Sequence, residues 1–445
     1  MNLKFVPSLA LGMAWLWAAA VPAQDSPPKP YPTFTRDILP IFQDHCQSCH
    51  RPGQIAPMSL LRYEDVRPWA KAIRKVVLER TMPPFPAAGP HGYFEGDMRL
   101  TEAEIETLST WVTEGARRGD PKHAPAPVEW PSGGGQMTDP DLVIRFPSIA
   151  SLEDNQDEWL LVLSEHVFPS NTWVEAIELI STDATLVHHA GVFAVGPKFF
   201  SPEGGVFRGD MLDLIRHGTH LNAKTNPMTE NHLYTWLPGG GVERRPGGAF
   251  HINANERLAL QVHIAPTPER RKSDLSIALR LAHGEYSTRL LSRALLETEF
   301  EIAPGDPHHE LRREAVIHRD VLLRSVMFHL HERGKSAQIN VTFPDGRTQN
   351  VLDIPRWDFN WQRTYHLATP LPLPAGTRID AIGVWDNSAE NPFNPDPTQT
   401  VRYGPRTTDE MYGASIFMTS ERNAPVRYNR GHRIRRPLPE NDSDG

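Results

Sequence analysis

Between residues 138 and 425 the apolar residues fall in short bursts: Trp159–Ser164, Trp173–Leu179, Leu186–Val195, Leu258–Ile264, Leu275–Leu281, Ser336–Phe343 and Arg378–Trp385. Pro, Gly and Asn separate the bursts, and 42 prolines in 445 residues leave little room for long helices. Short runs rich in β-branched and aromatic residues, divided by turn formers, read as strands of antiparallel β-sandwiches. Roughly 290 residues are too many for one sandwich, so two of about 145 each are expected. They are placed at residues 138–292 and 293–425, with a join near Tyr286–Glu299 and a polar tail at 426–445.

The rest of the chain differs. Lys4 precedes an apolar stretch from Leu9 to Val21, and Val21-Pro22-Ala23 offers the small residues of a cleavage site. Residues 1–23 therefore read as a signal peptide, which implies a periplasmic or secreted protein with no membrane span after cleavage. The net charge of −8 and the lack of a basic block argue against nucleic acid as a partner.

Only two cysteines occur, both in Cys46-Gln47-Ser48-Cys49-His50. A zinc site would need further thiolates, and a disulfide oxidoreductase would need a βαβ setting, which the flanks lack. Cys-x-x-Cys-His is the attachment pattern of c-type haem: two thiols bond the porphyrin and the histidine ligates iron. Residues 30–120 are accordingly expected to form an all-α cytochrome c domain. Its helices would lie at Thr35–Asp44, at Glu64–Glu79 with Val66, Trp69, Ala70, Ile73, Val76 and Val77 on one stripe, and after the capping box Thr101-Glu-Ala-Glu104. The third helix would bury Ile105, Leu108, Trp111 and Val112. Met82, in Arg80-Thr-Met-Pro-Pro84, is the expected distal ligand, with Met58 its rival and Met98 behind both. Residues 121–137, proline-rich and then glycine-rich, read as a linker.

Four clusters in the β-rich part carry metal-ligand chemistry: His188-His189, Leu260-Gln-Val-His263, His329-Leu-His331 and Thr407-Thr-Asp-Glu-Met411. On a strand, His329 and His331 share a face. Adjacent residues do not, so His188 and His189 need a bulge or a strand end to reach one metal. Imidazole suits both copper oxidation states, and a thioether such as Met411 favours the cuprous ion. His217 and His220 form a further His pair of lesser interest.

The order of these clusters, with Gly334-Lys335 after the second His pair and Asp409-Glu410-Met411 near the end, resembles the copper type II, ascorbate-dependent monooxygenases. That family includes the peptidylglycine α-hydroxylating and dopamine β-monooxygenases. The resemblance spans roughly residues 150–420. It implies two mononuclear coppers in two jelly-roll-like sandwiches. An electron-supplying ion would sit on His188, His189 and His263, and a dioxygen-binding ion on His329, His331 and Met411. The chain also departs from the peptide-hydroxylating branch. Met327 stands where an Arg binds the peptide carboxylate, and Gly413 and Ser415 stand where Asn and Tyr are found, so a C-terminal glycine peptide is disfavoured. The family's disulfides are absent, since both cysteines belong to the haem motif.

The resulting expectation is a copper-dependent monooxygenase that hydroxylates a C–H bond of a small organic substrate with O2. Electrons would come from a redox partner protein or ascorbate, relayed by haem. The alternative is a non-catalytic electron-transfer or copper-binding protein carrying a cytochrome. Replacing both Cys46 and Cys49 with Ala should abolish covalent haem, read as loss of the haem mass increment in the intact protein.

Overall fold

The computed structural model describes residues 31–420 except 53, 55, 131–134, 153–156, 198, 200–202, 210–231, 238–240, 245–247, 265, 283–288 and 405. The signal peptide, the polar tail and the His217/His220 pair lie outside the described residues.

Each sandwich is a pair of antiparallel sheets. In the first, one sheet runs in the order Leu142–Arg145, Leu275–Leu281, Thr172–Ser181, Glu243–Arg244, with Phe250–Ile252 also paired to Thr172–Ser181. The facing sheet runs Val206–Arg208, Glu158–Val167, Arg257–Ile264, Val187–Val195, His232–Trp236. In the second sandwich the sheets are Arg289–Glu297, Tyr412–Ser420, Val321–His329, Thr364–Leu373 and His309–Val316, Arg378–Trp385, Gly334–Thr342, Thr348–Ile354. The last strand of the first sandwich ends at Leu281, and the first of the second begins at Arg289.

Arg257–Ile264 shows why the site forms where it does. Leu258, Leu260, Val262 and Ile264 face the main core of their sandwich. The alternate residues Ala259, Gln261 and His263 point to the opposite face, yet they are buried as well. Part of that face is covered by Leu161, Leu163, Phe193, Val195 and Phe199. The strand Val321–His329 behaves in the same way. A register shift between Leu323 and Ser325 leaves Val326, Phe328 and Leu330 on the core side and gives Met327, His329 and His331 the other parity. The second faces of these two sheets turn toward each other, and the histidines lie between them.

The expected all-α cytochrome c domain ahead of two all-β domains is not what the chain forms. The structure is mostly β, 41% strand against 14% helix. Short helices at Leu39–His45, Tyr63–Val66, Ala70–Leu78 and Glu102–Thr113 do gather a small apolar cluster around Phe34, Ile38, Phe42 and Trp111. The stretch between the last two belongs elsewhere. Ala87 and Phe94 are buried in the core of the second sandwich. The N–H of Ala88 donates to the Asp353 carbonyl at 2.8 Å, that of Glu95 to the His366 carbonyl at 2.8 Å, and Phe94 bridges Leu367. This N-terminal segment is thus a helical cap sewn into a β-protein. Helical periodicity records local amphipathicity and says nothing of a proline-rich loop that packs on a sheet hundreds of residues away.

Local features mostly follow the expected physics. The Thr101/Glu104 capping box is closed by both of its hydrogen bonds. Val66, Ala70, Ile73 and Val77 are buried, but Trp69 is 47% exposed, because a 3₁₀ turn at Arg67–Trp69 rotates it off the helical stripe. The segment read as a linker is strapped down: the Ala126 carbonyl accepts from Gln43, and the N–H groups of Gln136 and Met137 donate to Glu178. No described helix is long and apolar enough to cross a membrane.

Phe94 joins Phe85, Tyr93 and Tyr365 in one aromatic cluster, with ring centroids 4.8–6.2 Å apart. Phe94→Ala should cost about 3–5 kcal/mol, measured by urea unfolding, and should increase proteolytic cutting between residues 82 and 100.

Candidate metal centre between the sandwiches

His189 pairs directly with His263 across neighbouring strands, whereas the next pair is Val187 with Ile264. His188 is therefore the extra residue of a β-bulge, the irregularity that two adjacent ligands require. Each of His188, His189 and His263 offers a ring nitrogen within 4.8 Å of the others. Trp159 stacks flat on His263, with centroids 4.5 Å apart and planes inclined by 1°.

The second pair lies close by. His329 ends its strand opposite Gly413, and the His329 and His331 rings are 5.2 Å apart. Met411 directly precedes the strand Tyr412–Ser420 and is half-buried. The ring of His329 also lies 5.5 Å from that of His189. Two groups expected in separate sandwiches therefore meet as one cluster of five imidazoles across the domain boundary.

The free nitrogens suit a metal. Asp157 holds His263 Nε2 at 3.0 Å, and His263 Nδ1 is buried with no hydrogen-bond partner. His331 Nδ1 meets the Asp409 carbonyl at 3.3 Å, and its Nε2 is likewise buried and unpartnered, as is His188 Nε2. Gln362 Oε1 lies 2.6 Å from His329 Nδ1. Such orphaned buried acceptors are costly unless something occupies them. Burial, together with the positive charge that neighbouring imidazoles would share, drives His188 down to about 3 and His189 and His331 well below the usual histidine range. Burial also takes His329 down to about 4. At neutral pH these rings are neutral and present lone pairs, the form that binds a metal ion.

Several supporting residues had not been singled out by the sequence. Burial opposes ionisation of Asp157, but hydrogen bonds from His263 and Thr407 outweigh it and bring the carboxyl down to about 2. Because Thr407 donates through both its N–H and its hydroxyl, Asp157 also ties the first sandwich to the loop that carries Met411. Phe359 stacks on His188 at 4.6 Å and meets His331 edge-on at 5.7 Å, a wedge between the two groups. Glu410, fully buried, accepts from the N–H groups of His331 and Arg333 and from the Trp385 indole. Burial raises its carboxyl to about 8 against those donors. Gly334 follows because the Trp357 indole leaves no space for a Cβ. Glu410 lies within the Asp409-Glu410-Met411 motif, so its signal was in view; Asp157, Phe359 and Gln362 carried none.

A cavity of about 250 Å³ opens beside this cluster, lined by Asp157, His188, His263, Trp357, Phe359 and Phe393. It draws walls from both sandwiches and is at the small end for a ligand site.

In the helical cap, the Cys46 and Cys49 thiols are unbridged. Burial pushes Cys46 up to about 12 and raises Cys49. His50 Nδ1 is held by the Met58 carbonyl at 3.2 Å, which orients the ring and leaves Nε2 for a ligand. This arrangement fits c-type haem. The Met58 side chain packs against the helical cluster, Met82 is half-buried beyond the Ala70–Leu78 helix, and the Met98 sulfur faces Arg363.

If the His188/His189/His263 group takes up copper, Asp157→Asn should weaken that binding by about 10–100-fold, measured by competitive titration, with the fold unchanged by circular dichroism.

No family model and no curated protein matches the chain. Solved structures align weakly. The major capsid protein P2 from Bacteriophage PM2 aligns at 9% identity and a TM-score of 0.24, over 59% of this chain and 97% of that one. PNGF-II aligns at 11% and 0.26, over 62% and 65%. The infectious bursal disease virus Gx strain structure aligns at 9% and 0.19, over 66% and 77%.

Proposed function

We propose that the chain is a copper-dependent monooxygenase, periplasmic or secreted, that hydroxylates a C–H bond of a small organic substrate. The observation that carries this reading is the convergence of five imidazoles, three of them with a buried ring nitrogen that has no hydrogen-bond partner, beside a cavity at the sandwich boundary. His188, His189 and His263 would hold one copper, and His329, His331 and Met411 a second. Cys46, Cys49 and His50 would hold haem c, with Met82 or Met58 as its sixth ligand. Copper supplies dioxygen reduction and haem supplies one-electron transfer when these groups are bound.

The protein's own work is positioning and exclusion. Asp157 fixes the His263 ring and leaves Nδ1 free, while Gln362 fixes His329. Glu410 clamps the turn after Leu330 through two backbone N–H groups, so His331 is presented from a rigid segment. Phe359 shields the rings from water. The small, partly aromatic cavity suits a compact organic molecule and offers no arginine for a peptide carboxylate. A redox partner protein or ascorbate would be the electron donor.

The test is metal analysis followed by an oxygen-uptake screen over aliphatic, aromatic and amine substrates. Two coppers per haem iron, with uptake that depends on substrate, support the reading. Copper without such uptake makes the chain an electron-transfer or copper-binding protein, and no stoichiometric copper ends both readings. Met411→Ala should abolish substrate-dependent uptake by at least about tenfold while the His188/His189/His263 copper is retained.

A further inference from the structure

Two buried guanidinium groups come within electrostatic reach of Cys49, and among the described residues neither forms an ion pair. Arg51, two residues along the chain, is 6% exposed, lies over the Trp130 ring at 4.3 Å, and has its Nε and Nη2 buried without a hydrogen-bond partner. The carboxylate within its electrostatic reach, Glu178, is engaged by the N–H groups of Gln136 and Met137. Arg363 comes from the second sandwich. Among the described residues its Nη1 and Nη2 meet a thioether, Met98 Sδ at 3.6 and 3.5 Å, its guanidinium lies over Phe85 at 5.0 Å, and the Met98 carbonyl in turn lies 3.1 Å from Nδ1 of His45, the residue before Cys46. The carboxylate in its reach, Asp97, is taken by Arg99. Among the described residues Arg363 forms no ion pair.

Sulfur is a weak acceptor and an aromatic face a modest partner for a cation, so both guanidiniums are under-satisfied. Each lies within electrostatic range of Cys49, and burial lowers both from the ordinary arginine value. Two buried cations that form no ion pair among the described residues, one of them two positions from an attachment cysteine, suit an anionic ligand with two separate charges. Haem carries two carboxylates, and a guanidinium is the side chain best shaped to bind them in a bidentate fashion. We propose that Arg51 and Arg363 are the positioning cations for the two haem carboxylates, so that the β-sandwich, and not the helical cap alone, holds the haem. This rests on haem attachment at Cys46 and Cys49.

Arg363 adjoins Gln362, which binds His329, so the contact with the haem edge and the contact with a metal-site histidine are consecutive residues. A cation beside the porphyrin favours the reduced iron, which carries one positive charge fewer, and its removal favours the oxidised form. The experiment uses the full chain matured with covalent haem, whose content is measured first by mass and pyridine haemochrome. Redox titration of wild type, Arg51→Gln, Arg363→Gln and Arg363→Lys then reads the haem midpoint. Each Gln variant should keep full haem content and lower the midpoint by a tenfold shift in the reduction equilibrium, about 59 mV for one electron. Arg363→Lys, which keeps the charge but not the fork, should fall between. Full haem content with unchanged midpoints in all three variants overturns the proposal while leaving haem attachment standing. Absence of covalent haem in wild type overturns attachment itself, and the proposal with it.

Discussion

Two sheets press together the faces that do not serve their own cores, and this contact organises everything else in the molecule. In an ordinary sandwich the outer face of a sheet is polar and wet. Here the outer parity of Arg257–Ile264 is buried beyond its first residue and that of Val321–His329 is buried or half-buried, and toward the ends of these strands it carries histidine. Burial holds His188, His189, His329 and His331 below the usual histidine range, and the neighbouring imidazoles push the same way. The same contact explains the cavity, whose walls come from both sandwiches, and the Asp157–Thr407 tie, which spans 250 positions of sequence.

Alternation, turn residues and the spacing of ligands were legible because they are local. The strand period placed His329 and His331 on one face, and the impossibility of that for His188 and His189 announced the bulge. What the sequence did not disclose depends on distant segments meeting. Nothing in Asp157 distinguishes it from other exposed-looking acids until Thr407 and His263 arrive from elsewhere. Gln362 reads as a loop amide. Residues 82–100 look like an ordinary proline-rich connection inside a helical domain, and their aromatic residues gave no sign that Tyr365 would receive them. Trp69 was misplaced for a smaller reason: one tight turn shifts the helical phase by enough to move a side chain from the interior to the surface.

Glu410 illustrates how a motif divides its labour. The residue next to it, Met411, attracts attention through its sulfur, whereas the carboxylate does architectural work by gathering two backbone amides and an indole in a fully buried place. A buried carboxylate without these donors would be strongly destabilising, and with them it stiffens the turn that carries His331. The glycine two positions beyond His331's neighbour Glu332 belongs to the same arrangement, since Trp357 occupies the space a larger residue would need.

The segment from Phe359 to Arg363 touches one histidine of the first group and both of the second, and at its far end comes within electrostatic reach of Cys49. A turn at Phe359 and Asn360, closed by the Trp361 N–H on the Asp358 carbonyl and by the Gln362 amide on the Phe359 carbonyl, sends these side chains to different targets. Lengthening this stretch by one residue would preserve every amino acid and still pull Phe359 and Gln362 out of step with the histidines they meet. Loops usually tolerate changes in length, but this one behaves as a ruler.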